Sequence, residues 1–176
     1  MSTRPDKRPI YLSLFRDLLI AEVKRRLFDE SMPRLRKCLE QLSEPEVWQR
    51  PNEHSNSVGN LVLHLEGNIR QWVVGGLGGR PDNRRRQAEF DERGPISKAD
   101  LLAKMERAME EVAQTLEQVQ PEELLEYREV QTFRESGLSI LVHVVEHFSY
   151  HVGQITYIVK AKKDMDMGYY EDVELE

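Results

Sequence analysis

Histidines are the residues of this chain whose type and spacing point most directly to chemistry. His143, His147 and His151 follow one another at four-residue spacing in a segment that reads as a helix. Residues four apart lie on adjacent turns of one helix face, so the imidazoles of His147 and His151 can both reach one metal ion at about 2.0–2.1 Å. The H-E-x-x-H helix of zinc proteases has the same spacing, but Phe148 stands where that motif has its general-base Glu. The pattern therefore predicts a metal-binding pair and disfavours a metalloprotease.

His64 is the candidate for a third ligand, because two ligands on one helix do not complete a site. On a helical projection it lies ~130° from the middle of the apolar stripe of its own predicted helix. His151 and His147 lie ~80° and ~120° from the stripe of theirs, so all three flank a buried face. Three protein ligands and a water are typical of an open, reactive site. Histidines at the boundary of amphipathic helices would show the same spacing, so both interpretations stay open here, and His54 lies in a polar loop where we expect no ligand.

Four predicted helices would have to position these side chains. Apolar residues recur at three- and four-residue spacing in each of them. Ser57 or Asn56 is the predicted cap of the second helix, and Ser97 with Asp100 is the predicted cap of the third. The predicted helical segments are 9–42, with a break near Asp29 caused by Pro33, then 57–74, 97–119 and 138–163. Residues 80–95 show no periodicity and 127–133 read as extended, so the chain is predicted to be an all-α, four-helix bundle with at least one long crossover connection.

The bulk composition is typical of a soluble helical bundle, with 32% charged and 39% hydrophobic residues. The length of 176 residues suits one domain spanning 1–176, with 1–8 and 165–176 expected as disordered tails. A net charge of −6 disfavours binding to nucleic acid or to an anionic membrane. No apolar run approaches the ~18 residues of a membrane span and no signal peptide is recognisable, so we expect a cytoplasmic protein. Cys38 is the single cysteine and is expected to be a small core residue.

Two segments of the chain resemble the DinB-like superfamily. They are NSVGNLVLHLEGNIRQW at residues 56–72 and HVVEHFSYHVGQI at residues 143–155. The first places one His in the second helix, and the second places H-x-x-x-H followed by G-Q-I in the fourth. The resemblance implies a four-helix bundle that binds nickel or zinc through three histidines and is often a homodimer. An apolar face on the first helix would support such a dimer.

The resemblance also implies a role for particular residues. The implied ligands are His64, His147 and His151, and His143 would face the ligands or the substrate, or shuttle a proton. Its projection ~160° from the apolar stripe instead favours a side chain that faces solvent. Some proteins of the superfamily transfer or isomerise substrates with a low-molecular-weight thiol such as bacillithiol or mycothiol, and others have no known reaction. The segment 75–90 matches no particular branch, so the resemblance does not extend to a substrate.

Three functions are open at this level. A metal-dependent transferase would hold a small thiol as thiolate at the ion, and the run Arg84–Arg86 would either bind the carboxylates of that thiol or lie in a solvated loop. A metal-assisted hydrolase needs a carboxylate base near the ion, but Glu66 points ~160° away from His64. A non-catalytic protein would use the ion only to tie two helices together. Three imidazoles suit zinc, nickel, copper and iron alike, so the sequence predicts the ligands but not the metal. Whether the protein is an enzyme also stays open.

Overall fold

The computed structural model describes residues 7–171 and 173–174, and this part of the chain is mostly helical. Its α-helices are α1 (Arg8–Lys24), α2 (Met32–Gln41), α3 (Glu44–Trp48), α4 (Val58–Ile69), α5 (Arg86–Asp91), α6 (Lys98–Gln118) and α7 (Gly137–Lys163). Its other elements are π-helical segments at Arg25–Ser31 and Arg70–Leu77, a 3-10 turn at Glu122–Leu124, and an antiparallel hairpin of β1 (Tyr127–Val130) and β2 (Phe133–Ser136). The predicted all-α bundle is confirmed, with one small sheet added. Of the predicted N-terminal tail 1–8, residues 1–6 lie outside the described residues and Arg8 begins α1.

The first long helical segment changes pitch where the sequence predicted a break. Pro33 has no backbone N–H, so the carbonyl of Asp29 cannot receive its usual helical hydrogen bond. The π-helical segment Arg25–Ser31 lies at this position, and the chain continues directly into α2. Leu27 and Leu35, on either side of the change, are both fully buried. The wider turn therefore keeps the two halves of the segment on the same core.

Serine caps begin the helices that carry the predicted site and much of the core. The hydroxyls of Ser57 and Ser97 accept the backbone N–H three residues further on, at 3.1 and 3.0 Å, as predicted for α4 and α6. Ser136 caps α7 in the same way. Each cap satisfies an N–H group that the start of a helix leaves without a partner. At the other end of α7, Asp164 adopts the left-handed conformation (φ 50°) that is common where helices stop.

The helix α7 is the element against which most of the bundle packs. It contacts α2, α4 and both π-helical segments, and β2 lies against its start. Ring contacts of His64 and Trp72 with this helix show that its histidine-bearing side faces α4 and the π-helical extension of α4. It is the longest described helix, at 27 residues, yet neither it nor any other described helix is long and apolar enough to cross a membrane.

The connection between the second and third long helices contains an element that the sequence did not indicate. The short helix α5 packs against α4 and carries Glu89 and Phe90 towards it, both half-buried. With six residues and no fully buried one, α5 leaves no periodic apolar pattern. The segment 80–95 is therefore not an irregular connection along its whole length, because it contains the short helix α5.

The sequence predicted a disordered tail over 165–176, but the described residues directly after α7 pack on the core at Met167 and Tyr169. Residues 172, 175 and 176 lie outside the described residues. Met167 is 1% exposed. The hydroxyl of Tyr169 lies 2.9 Å from Oγ1 of Thr156 and 3.2 Å from Sγ of Cys38. Acidic residues on either side of this pair, Asp166 and Glu171 among them, obscured its apolar contribution in the sequence. Cys38 is fully buried, as expected.

The apolar face predicted on the first helix is exposed. Ile10, Leu14 and Leu18, spaced four apart on α1, are 66%, 52% and 63% exposed. The homodimer stays a prediction, and sedimentation velocity is the measurement that checks it. A monomer at micromolar concentration would contradict it.

We predict that Met167→Ala lowers the free energy of unfolding by about 2 kcal/mol or more, because it removes a fully buried side chain. Val173→Ala, at a position 52% exposed, is the control and should change it by less than about 0.5 kcal/mol. Urea unfolding monitored by circular dichroism measures both. Equal, small effects would mean that the segment after α7 does not belong to the core.

Candidate metal centre

Three imidazoles that were predicted to meet do lie together in the structure: those of His64, His147 and His151. One nitrogen of each ring lies within 4.8 Å of the other two. Nε2 of His64 is 3.1 Å from Nε2 of His147, and the ring centroid of His64 is 5.0 Å from those of both other rings. Within the described residues this is the one group of His, Cys, Asp or Glu side chains with the geometry to hold a metal ion.

Two helices position the three rings. His147 and His151 lie one turn apart in α7, with ring centroids 4.5 Å apart, and His64 faces them from α4. His64 is only 5% exposed, and the other two rings are half-buried. Boundary residues of amphipathic helices would sit at the edge of solvent. That interpretation does not account for the burial of His64.

The outer nitrogen of His64 is held by a buried ion pair that sequence analysis missed. Its Nδ1 is 2.9 Å from Oε2 of Glu89, and Glu89 accepts hydrogen bonds from Nε and Nη2 of Arg84 at 2.6 and 2.8 Å. The side chains of Arg84 and Glu89 are 4% and 11% exposed. Burial acts to raise the pKa of Glu89, but the hydrogen bonds from Arg84 and His64 outweigh it, so this pKa lies below its ordinary value. Glu89 is therefore a carboxylate whose charge Arg84 balances.

Gly67 makes room for this ion pair. It lies three residues after His64 on α4, and a Cβ atom at this position would overlap Oε1 of Glu89 and lie 2.9 Å from Nε of Arg84. Glycine inside a helix costs roughly 1 kcal/mol relative to alanine. The close approach of the ion pair gives a physical reason for this glycine that helix propensity does not.

The partners of the outer nitrogens determine which nitrogen faces the cluster. Nδ1 of His64 lies 2.9 Å from Oε2 of Glu89, which only accepts, and 3.1 Å from Nη2 of Arg84, which only donates. The shorter contact, to Glu89, places the proton on Nδ1 and leaves the lone pair on Nε2, next to His147. Nδ1 of His151 is 2.7 Å from Oε1 of Gln154, an amide oxygen that also only accepts. Oxygen acceptors behind the rings orient ligand histidines in metal sites. Two of the three rings therefore have the tautomer that a metal ligand needs.

Burial favours the neutral form of the histidines on α7. It lowers the pKa of His147 to about 3, with further lowering by nearby His151 and His64. Burial also lowers the pKa of His151, although the hydrogen bond to Gln154 acts in the opposite direction. Nδ1 of His147 is buried and has no hydrogen-bond partner among the described residues. Neutral imidazole is the form that binds a metal ion.

The helical projection favoured a solvent-facing His143, but in the structure its side chain does not face solvent. Its ring stacks on Trp72 with centroids 3.9 Å apart and lies 5.3 Å from the ring of His147. It is half-buried, which lowers its pKa, and its Nε2 has no partner in the described part of the chain. The projection used a single apolar stripe, whereas the π-helical segment Arg70–Leu77 covers a second side of α7. The structure thus brings a fourth histidine beside the cluster.

The arginine run divides between two environments. Arg84 lies in the buried ion pair and also donates to Oε1 of Gln71 at 2.9 Å, so it is neither in a solvated loop nor open to a thiol carboxylate. Arg85 is exposed, and Arg86 stacks over the ring of Phe90 at 4.9 Å. No periodic signal marked Arg84, because α5 begins only after it. The available hint was the unexplained glycine inside the predicted second helix.

These residues fit a divalent metal ion with nitrogen donors. Nitrogens that share a tetrahedral zinc ion lie about 3.3 Å apart, close to the 3.1 Å between Nε2 of His64 and Nε2 of His147. Three protein ligands leave a coordination position for water or a substrate.

We predict that Arg84→Met lowers the free energy of unfolding by about 3–5 kcal/mol, because it leaves the carboxylate of Glu89 buried without a counter-charge. Arg85→Met is the matched control, one residue along the chain but exposed, and should change the value by less than about 0.5 kcal/mol. Chemical denaturation of both variants measures the difference. Similar values for the two would mean that the ion pair is not buried in solution.

The chelator-treated protein should lose stability as the pH falls from about 6.5 towards 3. In the unfolded chain His147 takes up a proton near its ordinary pKa of 6.5, whereas in the folded chain it does so only near 3. Between these values the unfolded state binds more protons, so acid favours unfolding. His147→Gln, which cannot titrate, should show a flatter pH profile in urea unfolding at pH 7 and pH 5. Parallel profiles for variant and wild type would contradict this.

Comparison with known proteins agrees with this fold. Residues 18–170 match the family model described as "Protein of unknown function (DUF1572)". The crystal structure of a DinB-like protein from Bacillus cereus ATCC 10987 is similar, with a TM-score of 0.63 and 14% identity over 80% of this chain and 90% of that chain. At this identity the similarity concerns the fold alone, and a search of curated proteins gave no match. The resemblance to DinB-like proteins is thus confirmed, and the chain belongs to the DUF1572 family.

Proposed function

We propose that this protein binds one divalent metal ion through His64, His147 and His151. The observation that carries the proposal is the meeting of three imidazole rings from two helices, with ring nitrogens within 4.8 Å of one another. The ion pair behind His64 supports it, since a carboxylate partner orients a ligand imidazole and raises its basicity. Zinc and nickel are the proposed ions, because both accept imidazole ligands.

The proposed reaction is a transfer that uses a small thiol from outside the chain. A bound zinc or nickel ion would keep such a thiol deprotonated at neutral pH. The chain has no thiol of its own to offer, because Cys38 is the single cysteine, is fully buried, and contacts Tyr169 and Thr156. A thiol that takes part in the proposed reaction would therefore come from outside the chain.

His143 is the residue proposed to contact the substrate beside the ion. Its ring adjoins that of His147, and burial lowers its pKa, which favours the neutral form. Its Nε2 has no protein partner within the described residues, so it can donate to or accept from a bound molecule. Stacking on Trp72 holds the ring in one orientation. Proton transfer to or from the substrate is the role that this position allows.

Two alternatives are less well supported. A metal-assisted hydrolase needs a carboxylate base at the open coordination position, but Glu89 lies behind the ring of His64 and is engaged by Arg84. A purely structural metal would be expected to have four protein ligands. The cluster has three among the described residues.

We predict that protein purified without a tag contains about one zinc or nickel ion per chain, and that His147→Ala and His151→Ala each reduce this content at least about tenfold. His54→Ala is the control, since His54 lies on the surface with 88% of its side chain exposed. Elemental analysis by plasma mass spectrometry measures the content. Thermal midpoints should rise on adding metal to wild type and to the control alone. Equal metal in all variants would refute the site.

The transferase is tested with the loaded protein, a panel of small thiols that includes glutathione, cysteine and bacillithiol, and 1-chloro-2,4-dinitrobenzene. In this reaction the sulfur–carbon bond of a thioether forms and chloride leaves, and absorbance follows the product. At least one thiol should react faster than without protein, and the acceleration should disappear in His147→Ala but persist in His54→Ala. No acceleration with any thiol would count against the transferase and leave metal binding untouched.

A further inference from the structure

A second feature lies beside the histidine cluster: a cavity of about 730 Å³ between the loop 51–56 and the outer side of α7. Tyr150, Gly153, Gln154 and Tyr157 form its wall on the helix. The volume lies within the range of small-molecule sites in proteins, about 300–1,000 Å³. The three clustered histidines do not line it, so it is a space with its own walls.

The lining of this cavity differs from the rest of the protein because it contains no carboxylate, ammonium or guanidinium group. None of its eleven lining residues is Asp, Glu, Lys or Arg, although such residues make up 32% of the chain. His54 is the one imidazole among the lining residues. A cavity of about 820 Å³ on the other side of the Arg84–Glu89 pair is the opposite case, with ten charged residues among eighteen. Amide, hydroxyl and aromatic groups without a counter-charge suit an uncharged ligand, because an ion would lose its hydration without gaining a partner.

Gly153 lies in the cavity wall, and its lack of a side chain leaves room in the cavity. It lies inside α7, where glycine costs roughly as much helix stability as any residue except proline. A Cβ atom at this position would meet nothing within 4 Å, whereas at Gly59, Gly67 and Gly137 it would collide with neighbouring atoms. Packing therefore explains those three glycines and does not explain Gly153. What the missing side chain provides at Gly153 is room for something outside the helix.

Two tyrosines flank that room. Tyr150 and Tyr157 lie three residues before and four residues after Gly153, so all three share one face of α7. Tyr150 and Tyr157 are 61% and 75% exposed, and the ring of Tyr150 also lies edge-on to that of His151, with centroids 5.0 Å apart. Aromatic rings favour offset or edge-on contact with another flat ring. The pair and the glycine between them thus fit a planar group.

Hydrogen bonds connect the cavity wall to the histidine cluster. The amide nitrogen of Gln154 donates to the hydroxyl of Tyr150 at 3.2 Å. The amide oxygen of the same residue is 2.7 Å from Nδ1 of His151. A molecule that contacts Tyr150 or Gln154 therefore touches the groups that set the tautomer and orientation of His151.

We propose that this cavity binds an uncharged small molecule that combines a flat ring with a hydrogen-bonding group. The ring lies over Gly153 between Tyr150 and Tyr157, and the polar group reaches the side-chain amide of Gln154 or the asparagines of the loop 51–56. Binding itself requires only the cavity. The further role of this molecule as a substrate of the metal centre rests on the proposed function.

Three probes of nearly equal shape and different charge test the proposal: benzamide, benzoate and benzamidinium. Each is titrated into the full chain, and the backbone amide of Gly153 and the side-chain amide of Gln154 are followed by two-dimensional NMR. Benzamide should shift these signals with about millimolar affinity, as fragments of this size bind. The two ions should bind at least about tenfold more weakly at the same signals. Absence of shifts with benzamide up to about 10 mM, or equal binding of the ions, would overturn the proposal.

Gly153→Leu fills the proposed site without disturbing the core. The new side chain enters open space and improves helix propensity, so the variant should unfold at a higher temperature than wild type and lose benzamide binding at least about tenfold. Gly153→Ala is the matched control, which should gain stability and keep most of the binding. Undiminished binding in the leucine variant would place the ligand elsewhere. Metal content is measured in parallel, so that a loss of ligand binding in the cavity can be distinguished from a loss of metal binding.

Discussion

A charged pair lies where a helical bundle usually places apolar side chains: Arg84 and Glu89 are almost completely buried against α4. Ion pairs of this kind lose hydration on burial, and well-packed apolar residues are often at least as stabilising. Gly67 accommodates the pair at a further cost in helix propensity. Stability alone therefore gives no reason for the arrangement. The bond from Nδ1 of His64 to Glu89 does, because it fixes the ring so that Nε2 meets the α7 histidines.

Irregular segments of the bundle, as well as its regular helices, position the side chains around the histidine cluster. The π-helical segment Arg70–Leu77 continues α4 beyond Ile69 and brings two side chains to the site. Trp72 stacks on His143, and Gln71 accepts a hydrogen bond from Arg84. Interruptions of this kind inside α-helices are frequent at functional sites. A regular continuation of α4 would present these side chains at different angles, so the change of pitch is part of how the site is built.

The parts of the site that the sequence predicted are those governed by regular periodicity. Four-residue spacing placed His147 and His151 on one side of α7, and the apolar stripes located the long helices that bring His64 opposite them. Contacts made by short or irregular elements left no such pattern. Glu89 lies in a helix of six residues, and His143 is covered by a π-helical segment that a single projection cannot represent. The supporting contacts depend on tertiary packing, which spacing within one helix does not encode.

In the proposed metal centre, three imidazoles from two helices share one ion. Anomalous diffraction from crystals of the protein, collected above and below the zinc and nickel absorption edges, would locate that ion. We expect one strong peak per chain at about 2.0–2.2 Å from Nε2 of His64, His147 and His151. Crystals of metal-containing protein with no peak between these rings, or with the peak at other side chains such as His54, would contradict it.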